Sequence, residues 1–179
     1  MDGVSHTFRH VEPFAPRIVS ASGAFVVDED GHRILDLWQG HLANVLGHNP
    51  EAVTAVLADA FEGGWGLQTG LLEDLQSEVA EILCRRTECE RVRLTTSGTL
   101  ANMYAVMVSC AFTGRETVMK VGGGWQGGHP WALKGSFPDA EGGFGGNDSE
   151  GLPPSFTDCV EVTRFNDLDR LQADFGRHG

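Results

Sequence analysis

Ser97, Gly98 and Thr99 stand where a strand-like run, RVRLTT (91–96), gives way to a helical pattern over 99–112. A helix N-terminus leaves its first amides without intrahelical acceptors and carries about half a positive charge, so it attracts anions. Two hydroxyls add donors, and the glycine between them lets a backbone approach closely. Such a turn suits a phosphate; from the residues alone, Ser97 or Thr99 serving only as an N-cap is the alternative. Trp125 lies 28 residues beyond Ser97, in GGGWQGGHPW directly after the strand-like ETVMKV. A glycine-flanked aromatic past a strand end is placed to stack on a planar ring; the alternative is an indole that plugs the core. One strand–helix–strand step separates the two features, which puts both at the carboxyl edge of a parallel sheet, where ligands sit. A phosphate seat beside a stacking aromatic fits a flat phosphorylated cofactor.

The elements that position these residues follow from periodicity and breakers. Residues 1–17, with Pro13 and Pro16, suggest an extended arm. GAFVVDEDGHRILDLW predicts a β-hairpin with strands Phe25–Val27 and Arg33–Leu37 about the Asp30-Gly31 turn. QGHLANVLGHNP is a glycine-punctuated loop. Pro50 opens a helix through Val53, Val56, Leu57, Ala60 and Phe61, which Gly63-Gly64 stops. A second helix is expected over about 72–85 and a third over 99–112, ending near Gly114 as a C-cap. Strands at ETVMKV and DCVEVTRFND, a flexible glycine-rich loop over 142–151, and a helix over 168–175 complete the pattern. Strand–helix–strand–loop–strand order from residue 91 onward predicts an α/β fold with βαβ units and a parallel sheet. A composition change near residues 63–70 divides the chain into a segment 1–65, with the arm, hairpin and first helix, and a segment 66–179.

Composition narrows the function. The net charge of −12, with 13 lysines and arginines in no basic run, argues against nucleic acid or an anionic membrane surface as partner. No apolar run approaches the roughly 20 residues that span a bilayer, and MDGVSHTFRH lacks the apolar core of a signal peptide. A soluble, cytoplasmic protein is expected. Cys84, Cys89, Cys110 and Cys159 show neither metal nor redox spacing and are read as reduced, partly buried thiols, with no metal site.

These motifs, in this order, resemble the N-terminal part of the class III (ω-type) aminotransferases, nearest in pattern to the glutamate-1-semialdehyde 2,1-aminomutases. DEDGHRILDL is similar to the family hairpin and GHLANVLGHNPEAV to its loop and first helix. RVRLTTSGTLANMYAVMVSCAFTGRETVMKVGGGWQGGH is similar to its coenzyme segment, and RFNDLDRL to the strand and helix that follow. The resemblance covers about residues 15–175. It implies the first part of a fold-type I (aspartate aminotransferase-like) transferase whose parallel-sheet large domain is incomplete in this chain, with pyridoxal 5'-phosphate as cofactor. Ser97, Gly98 and Thr99 match the phosphate-binding turn. Trp125 matches the aromatic on the pyridine ring, and Gln126 falls where the family usually has histidine. Gln39–Asn44 matches a substrate-facing loop, while Asn166 and Asp167 match a structural pair. Thr96 and Leu100 replace the family's usual Asn and Glu, and His129 is displaced by three positions. Loss of that carboxylate puts ordinary substrate handling in question.

Coenzyme chemistry needs two further groups: a Schiff-base lysine, and a carboxylate facing the pyridine nitrogen. In the family both lie beyond the segment matched here. The two lysines, Lys120 in a strand and Lys134 in a loop, are read as solvent-facing amines, so no catalytic residue is assigned. The expectation is a coenzyme-binding half that is inactive alone and completed by a second polypeptide, in an assembly both hetero- and homo-oligomeric, acting on a small amine or amino acid. A non-catalytic scaffold or regulatory subunit and a truncated product are the alternatives. Decarboxylation and racemisation remain open beside transamination and aminomutation, since one cradle serves all of them.

Overall fold

The computed structural model describes residues 13, 15–64 and 70–178. The chain divides into two compact units, Met1–Leu72 and Glu73–Gly179. The boundary expected at residues 65/66 lies outside the described residues, as does the arm over 1–12 and 14.

The first unit is built on a three-stranded antiparallel meander, β1 (Ile18–Ser22), β2 (Phe25–Asp28) and β3 (Arg33–Leu35). Strands β2 and β3 are the expected hairpin. Asp28 closes its turn by accepting from the amides of Asp30 and His32, and Gly31 takes φ 84°. Strand β1 has no local signature. It exists through pairing, with Ser20, Ala21 and Ser22 opposite Val27, Val26 and Phe25. Val26, at the centre, is buried. Next comes α1 (Gln39–Leu42), a single left-handed turn with φ 46°, 58°, 60° and 65° along the four residues. Helix α2 (Glu51–Glu62) follows, with Pro50 at its N-cap.

In the second unit, helices α3 (Asp74–Thr87) and α4 (Gly98–Thr113) precede strand β4 (Val118–Val121). A long loop, the short helix α5 (Pro154–Thr157), strand β5 (Val160–Thr163) and helix α6 (Leu168–His178) complete it. Strands β4 and β5 pair in parallel, Val118 opposite Val160 and Lys120 opposite Val162. The buried centre lies here, at Val160 and Ala132. Asp174 of α6 is fully buried, and Arg170 Nε donates to both its oxygens at 2.8 Å. Arg177 donates to Asp174 and, at 3.0 Å, to Glu161 of β5, which ties α6 to the sheet.

One expected element is corrected. Residues 91–96 form no strand: a strand requires a hydrogen-bonded neighbour, and the β4–β5 pair provides none for this segment. Val92 and Leu94 are accordingly exposed. The connection from β4 to β5 is a loop, as the pattern predicts, and it carries one short helix, α5. Within it the glycine-rich tract is a set of bonded turns, with Gly143 donating to Asp139 Oδ1 at 2.7 Å. Phe144 lies over Gly122, where a Cβ would come within 2.7 Å of it. Among the described residues, no helix is long and apolar enough to cross a membrane.

Candidate functional site

The site is built on the first turn of α4. Ser97 is the N-cap, in extended conformation, and its hydroxyl accepts from the Leu100 amide at 3.3 Å. Its carbonyl receives the Ala101 amide at 3.0 Å. The cap reading from sequence is therefore correct, and it does not exclude the anion reading. Helix geometry leaves the amides of Gly98 and Thr99 unpaired at the positive end of the dipole. A Cβ placed on Gly98 would meet nothing within 4 Å, so the backbone there faces open space. At the far end Gly114 takes φ 67° and caps the helix as expected.

The structure brings the Trp125 loop onto this turn. The Gly128 amide donates to Thr99 Oγ1 at 3.3 Å, and Asn102 Nδ2 donates to the Gln126 carbonyl at 2.9 Å. Gly127 passes so close, with φ 112°, that a Cβ on it would lie 2.7 Å from Thr99 Oγ1 and 2.8 Å from Thr99 Cα. That position requires glycine. Thr99 Oγ1 thus accepts from the loop while its own hydrogen stays available to an anion. Trp125 is 56% exposed, its one close ring neighbour among the described residues being Phe137 at 6.2 Å. An indole so bare is not a core plug. Gln126 Oε1 is buried without a hydrogen-bond partner. Open backbone at Gly98, free first-turn amides, a bare indole and an orphaned acceptor together fit a phosphorylated planar ring.

Asn102 was not legible as part of the site. Its signal was three-residue spacing from Thr99, which puts both on one helix face.

Both lysines correct the sequence reading. Lys120 is buried, and its Nζ donates to the Ala132 carbonyl at 2.6 Å and to Ser136 Oγ at 3.0 Å. Lys134 Nζ donates to the carbonyls of Thr157 and Val160, each at 2.7 Å. Neither faces solvent, because strand alternation and the returning loop turn both amines inward. Burial lowers the Lys120 pKa from its usual value, with the Asp148 carboxylate opposing. His129 is 4% exposed; burial lowers its pKa, the Gln126 backbone beside the ring opposes that, and the Lys120 charge adds to the lowering. Asp167 accepts from the Arg170 amide and starts α6, while Asn166 takes φ 55° before it.

In the first unit, the segment Gln39–Asn44 holds the left-handed turn. Single left-handed non-glycine residues cost roughly 1–3 kcal/mol each, and three occur in this run. Asp36 secures it: Oδ1 accepts from the Trp38 and Gln39 amides at 2.8 and 3.1 Å, and Oδ2 meets His48 Nε2 at 2.7 Å. The His48 contact is the main cause that lowers the Asp36 pKa. Gln39, Leu42 and Asn44 line an open depression of about 470 Å³. Gln39 Oε1 is buried there without a partner.

A phosphate-competent helix turn docked to a glycine loop with an exposed aromatic, at the carboxyl end of a parallel strand, defines a nucleotide- or coenzyme-binding α/β protein. Residues 8–141 match the family model "Aminotransferase class-III", and the chain belongs to that family. It is 31% identical to the glutamate-1-semialdehyde 2,1-aminomutase of Thermoplasma acidophilum over 179 residues, covering 99% of this chain and 42% of that protein. Among solved structures, it superposes on an ω-transaminase from Sphaerobacter thermophilus with TM-score 0.84 and 30% identity, over 98% of this chain and 41% of the other. A transaminase with PLP bound gives 0.89 and 29%, over 98% and 41%. The fold is that of fold-type I transferases, incomplete here, and the coenzyme these matches indicate is pyridoxal phosphate. The chain spans about two-fifths of the length of the curated relatives it matches.

Proposed function

We propose that residues 1–179 form the coenzyme-binding part of an aminotransferase or aminomutase, with the Schiff-base lysine and the ring-nitrogen carboxylate supplied by a second polypeptide. Its substrate is a small amine or amino acid, and the complete enzyme is a soluble, cytoplasmic hetero- and homo-oligomer. The observation that carries the reading is the docking of the Trp125 loop on α4 through Thr99 and Asn102, which makes a phosphate seat and a stacking ring neighbours.

The coenzyme, when bound, supplies an aldehyde that captures amines and a ring that withdraws electrons. The chain's own residues do the holding. The Gly98 and Thr99 amides and the hydroxyls of Ser97 and Thr99 bind the phosphate. Trp125 covers the ring face, and the buried Gln126 Oε1 offers an acceptor beside it. No described amine is free for chemistry, since Lys120 and Lys134 are both engaged by carbonyls. The lysine is therefore sought outside residues 1–179. The bare faces of α3 and α4, where no residue is buried, support a partner that covers them.

Co-expression with the product of the neighbouring gene, borohydride reduction and peptide mapping test the reading. The expected result is coenzyme fixed to a lysine of the second polypeptide. Coenzyme fixed to Lys120 or Lys134 overturns it.

A further inference from the structure

Lys120 sits opposite the coenzyme loop, at the loop's base rather than its tip. The loop leaves β4 at Gly122, carries Trp125 to Gly128 against α4, and returns to the strand at Gly135, whose carbonyl accepts the Gly123 amide at 2.9 Å. The Lys120 ammonium reaches the returning limb twice, at Ala132 and Ser136. Ser136 Oγ also donates to the Ala132 carbonyl at 3.0 Å, closing a three-membered polar ring. Among the described residues no carboxylate touches the ammonium. Asp148 is held one step away, by the amides of Ser136 at 2.8 Å and Phe137 at 3.1 Å. A buried cation without a contacting counter-ion is costly, and an apolar residue would fill the space without that cost. What a lysine adds is reach to two separate points of one loop.

We propose that Lys120, with Ser136, is a positioning residue: the buried ammonium fixes the return of the 122–136 loop and so sets Trp125 and Gly128 against Thr99. This rests on the coenzyme reading above for its functional meaning, although the anchoring itself does not. The phosphate seat belongs to α4 and is built without Lys120; only the ring-covering part depends on the anchor.

Lys120→Met keeps most of the side chain's length and removes the charge, and Ser136→Ala removes one acceptor more gently. Both are made in the full 179-residue chain, with and without its co-expressed partner. Pyridoxal phosphate and inorganic phosphate are titrated separately, and amide exchange is followed in the free protein. Both variants are expected to weaken pyridoxal phosphate binding about fivefold to tenfold, the share of an aromatic stack, while phosphate affinity changes less than about twofold. The Gly128 amide exchanges faster, while the Val118 amide, bonded to the Cys159 carbonyl in the β4–β5 ladder, keeps its protection. Unchanged coenzyme affinity in both variants overturns the proposal. So does an equal loss for both ligands with protection lost throughout, which marks a general structural role. If the unaltered protein binds phosphate but no pyridoxal phosphate, the coenzyme reading fails, and exchange at Gly128 alone then decides the anchor.

Discussion

The β4–β5 layer and the helices α3 and α4 belong to one unit, yet they are finished to different degrees. Around the two strands, Val160, Ala132 and Asp174 are almost wholly buried; the Lys120 amine finds its partner on the returning loop and the Asp174 carboxylate finds its own within α6. Along α3 and α4 no residue is buried, and Phe112 is 91% exposed. The candidate site is where the two regions meet, through Gly128 on Thr99 and Gln126 on Asn102. The finished layer presents the aromatic, and the bare helix presents the phosphate seat. On the proposed reading, coenzyme binding depends on this seam, and the layer and the helix are expected to respond differently to substitution.

Gly127→Ala breaks the seam most severely. Its φ of 112° and the 2.8 Å approach to Thr99 Cα leave no room for a methyl group. Strain of about 1–3 kcal/mol, with the clash added, is expected to lower coenzyme affinity by tenfold or more, measured by calorimetric titration. Asn102→Ala removes one hydrogen bond across the seam and is expected to cost about 1 kcal/mol, or roughly fivefold in the same titration.

Acidification probes the finished layer instead. His129 has its pKa lowered in the folded state by burial and by Lys120. Its contribution to stability is complete above the ordinary value of 6.5 and is lost as pH falls through the lower folded value. Thermal melts from pH 8 to pH 5 are expected to fall, and His129→Gln to flatten that dependence. The smallest effect is expected on the bare helix: Phe112→Ser should change the stability of this chain by less than about 0.5 kcal/mol, seen in urea unfolding, while weakening capture of the second polypeptide in native mass spectrometry.

What sequence made legible follows the range of each interaction. The cap at Ser97, the glycine stop at Gly114 and the hairpin turn at Asp30-Gly31 are local signals, and the structure shows each of them. Strand β1 was not legible, because only its pairing with β2 defines it. Residues 91–96 misled for the converse reason, since β-rich composition does not supply a neighbour. Lys120 and Lys134 looked solvent-facing because charge is normally exposed; their carbonyl partners lie 12 to 26 residues away. The seam was legible in part: one strand–helix–strand step implied that Ser97–Thr99 and Trp125 share an edge, but nothing in the spacing identified Asn102 or Gly127 as the contacts. The left-handed turn at Gln39–Leu42 had no local signal beyond Gly40.

The central claim is that the α4 turn seats a phosphate while Trp125 covers the attached ring. Its most direct measurement is pyridoxal phosphate occupancy of the purified, co-expressed assembly carrying Ser97→Ala and Thr99→Ala together, against the unaltered assembly. Occupancy should fall by tenfold or more, because two charge-assisted hydrogen bonds contribute about 1.5–3 kcal/mol each. Occupancy equal to that of the unaltered assembly would contradict the claim and leave Ser97 a helix cap alone.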